Sequence, residues 1–284
     1  MATILFDGVA YGMLLFVLAC GLAVTLGLMN FVNLAHGAFA MAGGYATVLL
    51  MDRGGVPFLA CLPAAFLVAA VLGLVLERTL YRHMYRRSHL DQVLFSIGLV
   101  FMAVSGTTWA MGASQQTIKL PAWLTGRVDM LGMHVGIYRA FIVILCGLLA
   151  VGLQLGLTHT RFGSRLRAAV DDARVARGLG IPVGTVFAVT FAVGSGLAGL
   201  GGALGSEILG LDPNFPLRFM IYFLIVVAVG GTSGVVGPFI ASLLLGIADV
   251  AGKYYIPAIG AFIVYLVMIA VLVLRPHGLF GRPR

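Results

Sequence analysis

The sequence contains few charged residues: aspartate, glutamate, lysine and arginine make up 10% of its 284 residues, whereas an ordinary soluble domain carries about a quarter. Hydrophobic residues make up 61% of the chain. A water-soluble fold of this length could not cover so much apolar surface with so few polar side chains. The composition therefore excludes a soluble domain and predicts one membrane domain over residues 1–284.

The sequence also lacks the signatures of ATP hydrolysis and of catalysis. Its only Gly-Lys pair, Gly252 and Lys253, is followed by Tyr254, and Ile247 stands where a phosphate-binding loop needs its first glycine. There is no Gly-x-Ser-x-Gly elbow, no His-Glu-x-x-His motif and no paired Cys/His ligand set. We expect a protein that is not an enzyme and binds no cofactor or metal, so ATP hydrolysis, with its ATP and magnesium, would have to come from elsewhere.

Long apolar runs predict an all-α, polytopic transmembrane bundle, because only a helix of roughly 20 residues satisfies its own backbone hydrogen bonds across a bilayer. A shorter run, residues 258–274, ends in Arg275, and two further stretches, residues 30–51 and 219–248, are apolar but interrupted by polar residues and glycines. About eight to nine membrane segments are predicted, with interrupted helices among them. The five longest runs are residues 8–29, 57–76, 92–112, 136–157 and 183–205.

Most of the basic residues lie in three regions, residues 78–87, 161–177 and 275–284. The positive-inside rule places these regions in the cytoplasm. We therefore interpret the net charge of +8 as a topology signal with contacts to anionic lipid, rather than as a nucleic-acid-binding surface. The N-terminus then lies outside, which requires an odd number of crossings, nine if both interrupted stretches cross fully.

The first interrupted stretch brings polar side chains into an apolar region: Asn30, Asn33 and His36, followed by Gly37. A buried polar group without a partner carries a free-energy penalty, so these residues need either partners or a function. One interpretation is a polar patch on the solute path, where Asn and neutral His hydrogen-bond a passing zwitterion or amide. The alternatives are hydrogen bonds between helices and a loop at the cytoplasmic surface.

The second interruption is the sequence GGTSGVVGP, which includes Gly230, Gly231 and Ser233. Glycine-interrupted segments in both halves of a transporter indicate a central binding site. On that basis we place these three residues on the substrate pathway as well. The alternative is that the glycines serve only helix packing.

The segment of residues 158–183 is rich in charge and in helix-forming residues, although it lies between two apolar runs. It predicts a short amphipathic helix in which Arg167, Asp171 and Arg174 pair along one face. Gly178, Gly180 and Pro182 would end that helix. We interpret it as a docking surface for a soluble partner, the alternative being a solvated loop that fixes topology. Its apolar face would consist of Leu166, Ala169, Val170 and Ala173.

Several motifs together resemble the branched-chain amino acid permeases of ABC importers, of the first permease subunit type. The resemblance covers nearly the whole chain. The motifs are GLAVTLGLMNFVNLAHGAFAMAGGY from Gly21, ERTLYR from Glu77, TRFG and RAAVDD through GLGIPV from Thr160, FAVGSGLAGLGGAL from Phe191 and RPHGLFG from Arg275.

The resemblance implies that the segment of residues 158–183 docks into a cleft on an ATPase subunit. Its pattern departs from the Glu-Ala-Ala pattern of another importer class, with Arg167 before Ala168 and Ala169, and Ala173 where that pattern has glycine. By position, the coupling residues are Arg161, Gly163, Arg167, Asp171, Gly180 and Ile181.

The expected function is that of a permease subunit in the bacterial inner membrane, translocating branched-chain amino acids or related amino-acid and amide solutes. The expected partners are a paralogous permease, two ATP-binding subunits, an extracytoplasmic substrate-binding protein and membrane lipid. A second copy of the chain in place of the paralogue stays open, as does the solute.

The alternative function is a secondary transporter or channel that works alone, which usually needs ionisable residues within the membrane. Asp249 is the nearest candidate for such a residue, although it ends a short apolar run and is expected at an interface. Glu207, Asp212 and Arg218 lie in a predicted outer loop. They are either contacts for a binding protein or ordinary solvated charges.

Overall fold

A computed structural model describes residues 1–29, 31–85, 87–130, 133–231 and 234–281. In this part of the chain one π-helical turn (Glu77–Tyr81), one 3-10 turn (Gly260–Phe262) and one hairpin of β1 (Arg127–Met130) and β2 (Met133–Gly136) accompany the α-helices. The α-helices are α1 (Ala2–Met29), α2 (His36–Asp52), α3 (Phe58–Leu76), α4 (Arg82–Met84), α5 (His89–Met111), α6 (Ile137–His159), α7 (Arg161–Asp171), α8 (Ala173–Gly178), α9 (Val183–Leu209), α10 (Phe215–Gly230), α11 (Val236–Tyr255) and α12 (Ile263–Leu274).

Six helical segments among the described residues are long and apolar enough to cross a membrane. They correspond to α1, α3 with its extension to Met84, α5, α6, α9 and α11. Two shorter apolar segments are α10 and residues Gly260–Leu274, and α2 has 17 residues. The predicted all-α, polytopic membrane bundle is therefore confirmed.

Helices α1 and α9 form the centre of the bundle and are buried along most of their length. Helix α9 runs antiparallel to α1, since Gly194 lies against Gly21 and Gly201 lies against Leu18. Small residues permit these contacts, as is usual between helices in lipid. A Cβ atom on Gly202 would overlap the carbonyl oxygen of Ala40, so α2 crosses α9 with the two backbones in direct contact.

The second interrupted stretch forms two separate helices packed side by side. Gly230 at the end of α10 lies against Gly237 near the start of α11, while Tyr222 and Asp249, farther from the connection, line the same cavity. The two helices are therefore antiparallel. The pattern of residues 219–248 predicted the interruption but not the reversal of chain direction between the two helices.

The bundle has two distinct ends. One end, which we call the hairpin end, carries the start of α1, the β-hairpin and the end of α9. The other, the α7 end, carries the end of α6, helices α7 and α8, the connection between α10 and α11, and residues 275–281. The N-terminus and the C-terminal segment thus lie at opposite ends, as an odd number of crossings requires.

We expect Gly202→Ala to lower the stability of the purified chain by about 1–3 kcal/mol, because the added methyl group must displace the α2 backbone. The matched control is Gly106→Ala in α5, where a Cβ atom meets no neighbour within 4 Å. That substitution should be neutral or stabilising by up to about 1 kcal/mol, since alanine favours a helix. Unfolding in detergent checks both, and equal effects would contradict the proposed contact.

Candidate functional site

The first interruption lies between α1 and α2 and is held by side chains from α5. The backbone N–H of Val32 donates to Oε1 of Gln92 at 3.1 Å, and that of Leu34 donates to Oγ of Ser96 at 3.2 Å. Irregular backbone survives at membrane depth only when it is buried in protein or lines a wet cavity. Here Gln92 and Ser96, both buried, supply acceptors that a continuous helix would supply from its own carbonyl groups.

Asn33 is 1% exposed, and its side-chain oxygen has two donors. Oδ1 accepts from the backbone N–H of Ala35 at 3.1 Å and from the hydroxyl of Tyr81 at 3.0 Å. Tyr81 lies in the π-helical turn that follows α3. Asn33 therefore joins the start of α2 to the end of α3.

His36 begins α2 and is 2% exposed. Its Nε2 atom lies 2.9 Å from the carbonyl oxygen of Leu18, and its ring meets the ring of Phe223 edge to face. A Cβ atom on the next residue, Gly37, would lie 2.9 Å from Cα of Pro216. These contacts join α1, α2 and α10, which is the geometry of the helix-to-helix alternative.

The role of these residues on a solute path stays a prediction. Asn30 lies outside the described residues. Asn33 and His36 are already engaged with protein atoms in this conformation, so a passing solute would have to compete with those hydrogen bonds.

The second interruption is covered by the C-terminal segment, residues 275–281. The N–H of Leu279 donates to the carbonyl of Val229 at 2.8 Å, and that of Phe280 donates to the carbonyl of Gly230 at 3.3 Å. These bonds satisfy carbonyl groups that the last turn of a helix leaves without partners. Gly231 has φ of +85°, a conformation that other residues rarely adopt.

The structure does not bring the two interruptions together. Gly230 and Gly231 contact the C-terminal segment at the α7 end, whereas His36 meets α10 at Phe223, roughly two turns earlier. Their shared role on a substrate pathway stays a prediction. Ser233 lies outside the described residues.

The segment of residues 158–183 forms two helices, so the predicted single helix was wrong in this respect. Asp172 leaves helical geometry, and its Oδ1 accepts from the backbone N–H groups of Arg174 at 2.7 Å and of Val175 at 2.9 Å. The side chain thereby caps α8 and ends α7. Aspartate competes with the helix for backbone donors in this way, which explains why the helical pattern is broken here.

The predicted apolar face of α7 is confirmed at Leu166 and Ala169, which are fully buried. Ala169 packs with Ala176 and Val183, and the partly buried Ile181 adds to this small cluster. The cluster fixes both short helices against the start of α9.

Helix α7 is also fastened to the end of α6. A Cβ atom on Gly163 would overlap the carbonyl oxygen of Leu157, and Arg167 donates a hydrogen bond to that same carbonyl. The predicted pairing of Arg167 with Asp171 is not formed, because the guanidinium group turns toward α6. Gly163 and Arg167 therefore position α7, whichever partner the segment binds.

The remaining predicted coupling residues lie on the surface. Arg161, Asp171 and Gly180 are exposed, and Gly180 has φ of +80° at the turn that ends the segment. Sequence reasoning missed two exposed apolar side chains beside them, Val175 (57% exposed) and Leu179 (75%). Val175 lies on α8 and Leu179 directly follows it, and their spacing of four residues beside Arg174 and Arg177 is the signal that could have identified them.

The carboxyl group of Asp172 is fully exposed, yet its pKa lies below the ordinary value. The N–H groups of Val175 and Arg174 cause this shift because they bond the ionised form. The pKa of Asp172 is lower in the folded chain than its ordinary value of about 3.9. Above that ordinary value the ionised cap stabilises the fold fully. As the pH falls through the lower folded pKa, the carboxylate is protonated and this stabilisation is lost. The cap is therefore complete near neutral pH.

Charged side chains from four helices meet at the hairpin end. Asp7 pairs with Arg139, Asp212 with Arg218 at 3.1 Å, and Asp249 with Lys253 at 2.6 Å. Asp249 is 2% exposed, because α11 continues past it to Tyr255 and packs against α1. Its position at a membrane interface stays a prediction. Among the described residues, no group of three His, Cys, Asp or Glu side chains could hold a metal ion.

The chain is similar to known proteins over nearly its whole length. A family model described as "Branched-chain amino acid transport system / permease component" matches residues 4–272. The chain is 26% identical over 294 residues to the high-affinity branched-chain amino acid transport system permease protein LivH of Escherichia coli (strain K12), covering 98% of this chain and 95% of LivH. It is 29% identical over 298 residues to the probable LivH of Methanocaldococcus jannaschii, covering 98% and 92%.

A second type of relative matches more weakly. The high-affinity branched-chain amino acid transport system permease protein LivM of Salmonella typhimurium is 24% identical over 299 residues, covering 96% of this chain and 69% of LivM. No solved structure matches the chain.

Removing the Asn33 side chain should destabilise the bundle through loss of a shared acceptor. We expect Asn33→Ala to cost about 1–3 kcal/mol, because two buried donors lose their partner, and Tyr81→Phe to cost about 1 kcal/mol. The double variant should lose less than the sum, by about 0.5–1.5 kcal/mol. Unfolding of all four proteins in detergent measures this coupling, and simple additivity would contradict the Asn33–Tyr81 contact.

Loss of the Asp172 cap should loosen α8 without affecting the membrane helices. In Asp172→Ala the amides of Arg174 and Val175 should exchange with deuterium faster than in the wild type, while exchange within α9 stays unchanged. Asp172→Asn is the matched control, since asparagine also caps helices. Hydrogen exchange at neutral pH distinguishes these outcomes, and equal protection in all three proteins would contradict the capping role.

Proposed function

The chain belongs to the family of permease components of branched-chain amino acid transport systems, and from that membership we propose that it is the permease subunit of a bacterial ABC importer. In this proposal it sits in the inner membrane and translocates branched-chain amino acids or related small amino-acid and amide solutes. Separate ATPase subunits supply the energy. The near full-length similarity to LivH of two distant organisms supports the substrate class.

The observation that carries the proposal is the way α7 and α8 are built. One side of this pair is fixed to α6 and α9 through Gly163, Arg167 and the Ala169 cluster. The other side exposes Val175 and Leu179 among basic residues. An exposed apolar pair on and directly after a short helix that packs on the bundle suits docking of a soluble partner, and movement of that partner would pass to the two membrane helices, α6 and α9.

The proposed partners are two ATP-binding subunits, an extracytoplasmic substrate-binding protein and a second permease. Similarity to both LivH and LivM indicates that this family contains two related permease types. This supports a paralogous permease as the second subunit. The large lipid-facing surfaces of α5 and α6, exposed over most of their length, leave ample area for such a partner.

The alternative function is a self-sufficient secondary transporter or channel, which the buried Asp249 would favour. The test is to reconstitute the chain alone and with its ATPase, permease and binding-protein partners, and to measure uptake of labelled leucine. We expect accumulation only in the complete assembly with ATP. Ion-driven accumulation by the chain alone would overturn the importer proposal.

Within the complete assembly, we expect Val175→Asp to reduce ATP-driven uptake by about tenfold or more. The reason is that an unpaired charge buried at the docking surface would weaken the binding free energy between the chain and the ATPase subunit by about 1–2 kcal/mol. The ATPase subunit should also co-purify less well. The matched control is Val128→Asp, an exposed valine of β1 at the opposite end. Unchanged uptake and co-purification in Val175→Asp would remove the docking role. Arg167→Glu is a less sharp test, because it also releases α7 from α6.

A further inference from the structure

A cavity of about 430 Å³ opens at the hairpin end of the bundle. It lies between α1, α6, α9, α10 and α11, at the end opposite to α7 and α8. Its charged wall consists of two carboxylates and three basic groups: Asp7, Arg139, Arg218, Asp249 and Lys253. If α7 and α8 face the cytoplasm, this cavity faces the side from which an imported solute arrives.

Asp249 offers an unused acceptor in the cavity wall. Its Oδ2 atom lies 2.6 Å from Nζ of Lys253, but its Oδ1 atom is buried and has no hydrogen-bond partner among the described residues. Buried carboxylate oxygens are normally hydrogen-bonded, because leaving one without a donor is unfavourable. The Lys253 side chain is half exposed, whereas that of Asp249 is only 3% exposed. A cationic donor of a ligand would therefore reach Oδ1 after a rotation of the Asp249 side chain toward the cavity that it lines.

Arg218 offers the opposite charge in the same cavity. Its hydrogen bonds to the carbonyl groups of Leu209 and Gly210 and its ion pair with Asp212 all use Nη2. The guanidinium group also lies over the ring of Phe219, 5.0 Å from the centroid. These contacts hold the group in place, while Nε and Nη1 have no hydrogen-bond partner among the described residues, which suits recognition of a carboxylate.

The rest of the wall consists of aliphatic and aromatic side chains. Ala10, Ile208, Leu209 and Val250 line the cavity beside the rings of Tyr11, Phe219 and Tyr222. The third basic group, Arg139, is already paired with Asp7. A cavity with one carboxylate that is only partly paired, one positioned guanidinium and several aliphatic side chains matches the three parts of an apolar amino acid.

We propose that this cavity binds a free apolar amino acid as its zwitterion, with the α-ammonium group on Asp249, the α-carboxylate on Arg218 and the side chain against Ile208 and Phe219. This inference rests on the proposed function for its place in transport, where the cavity would receive the solute after its release from the binding protein. Binding itself can be measured on the chain alone.

The test is saturation-transfer NMR of the full chain in lipid nanodiscs, with leucine, leucinamide and 4-methylpentanoate as probes. Leucinamide lacks the carboxylate, and 4-methylpentanoate lacks the ammonium group. We expect leucine to bind and each analogue to bind at least about tenfold more weakly, a difference of about 1.4 kcal/mol. Absence of leucine binding, or equal binding of the three probes, would overturn the proposal.

Two variants in the cavity wall test its position. Asp249→Asn and Arg218→Gln should each weaken leucine binding by about tenfold or more. The control is Asp52→Asn, because Asp52 lies at the end of α2 and outside the cavity wall, and this variant should bind leucine as the wild type does. Unchanged leucine binding in Asp249→Asn would overturn the assignment. The analogue series needs only the wild-type chain, so it decides the question even if a variant does not fold.

The outcomes for this site and for the importer are separable. ATP-driven uptake by the complete assembly together with no leucine binding to the chain would leave the importer in place and remove the zwitterion site. Leucine binding by the chain together with accumulation in the absence of ATPase subunits would keep the site and remove the importer.

Discussion

The close packing of α1 and α9 against each other and against their neighbours is the constraint on which the rest of the bundle depends. Apolar side chains gain little by leaving lipid for a protein interior, so helices in a membrane associate through dispersion contacts and backbone approach. Gly202 lets α9 touch the backbone of α2, and Gly194 and Gly201 do the same toward α1. On the other side of α1, Gly12 lies against Gly246 and brings α11 into direct contact.

The backbone is irregular at both interruptions, and its polar groups find hydrogen-bond partners in a different way at each. Side chains of Gln92 and Ser96 take the N–H groups between α1 and α2, while the C-terminal segment covers the carbonyl groups at the end of α10. These partners come from distant parts of the sequence. Because unpaired backbone groups in lipid are so unfavourable, such segments stabilise the fold as well as shaping it.

Charge is confined largely to the two ends of the molecule, and the arrangement differs between them. At the α7 end, basic residues surround exposed apolar side chains on a pair of short helices fixed to the bundle. At the hairpin end, charges of both signs line a cavity, with Asp249 and Arg218 only partly engaged by protein groups. In the proposed importer, the α7 end would contact the energy-supplying partner, and the cavity at the hairpin end would receive the solute.

The sequence by itself determined the fold class, the positions of most membrane helices and the existence of an amphipathic segment between α6 and α9. These follow from local properties, since composition and the period of apolar residues depend only on neighbours along the chain. The resemblance of motifs also identified the family, which the match over residues 4–272 confirms.

Only the tertiary structure decided what the polar residues contact. Asn33 meets Tyr81 and Arg167 meets Leu157 through chain reversals that no local pattern specifies. The cavity that joins Arg218 to Asp249 depends on the packing of α10 and α11 against α1, α6 and α9, and α1 and α6 lie far away in sequence. Periodicity shows which face of a helix is apolar, but the partner of a polar group is set by three-dimensional proximity alone.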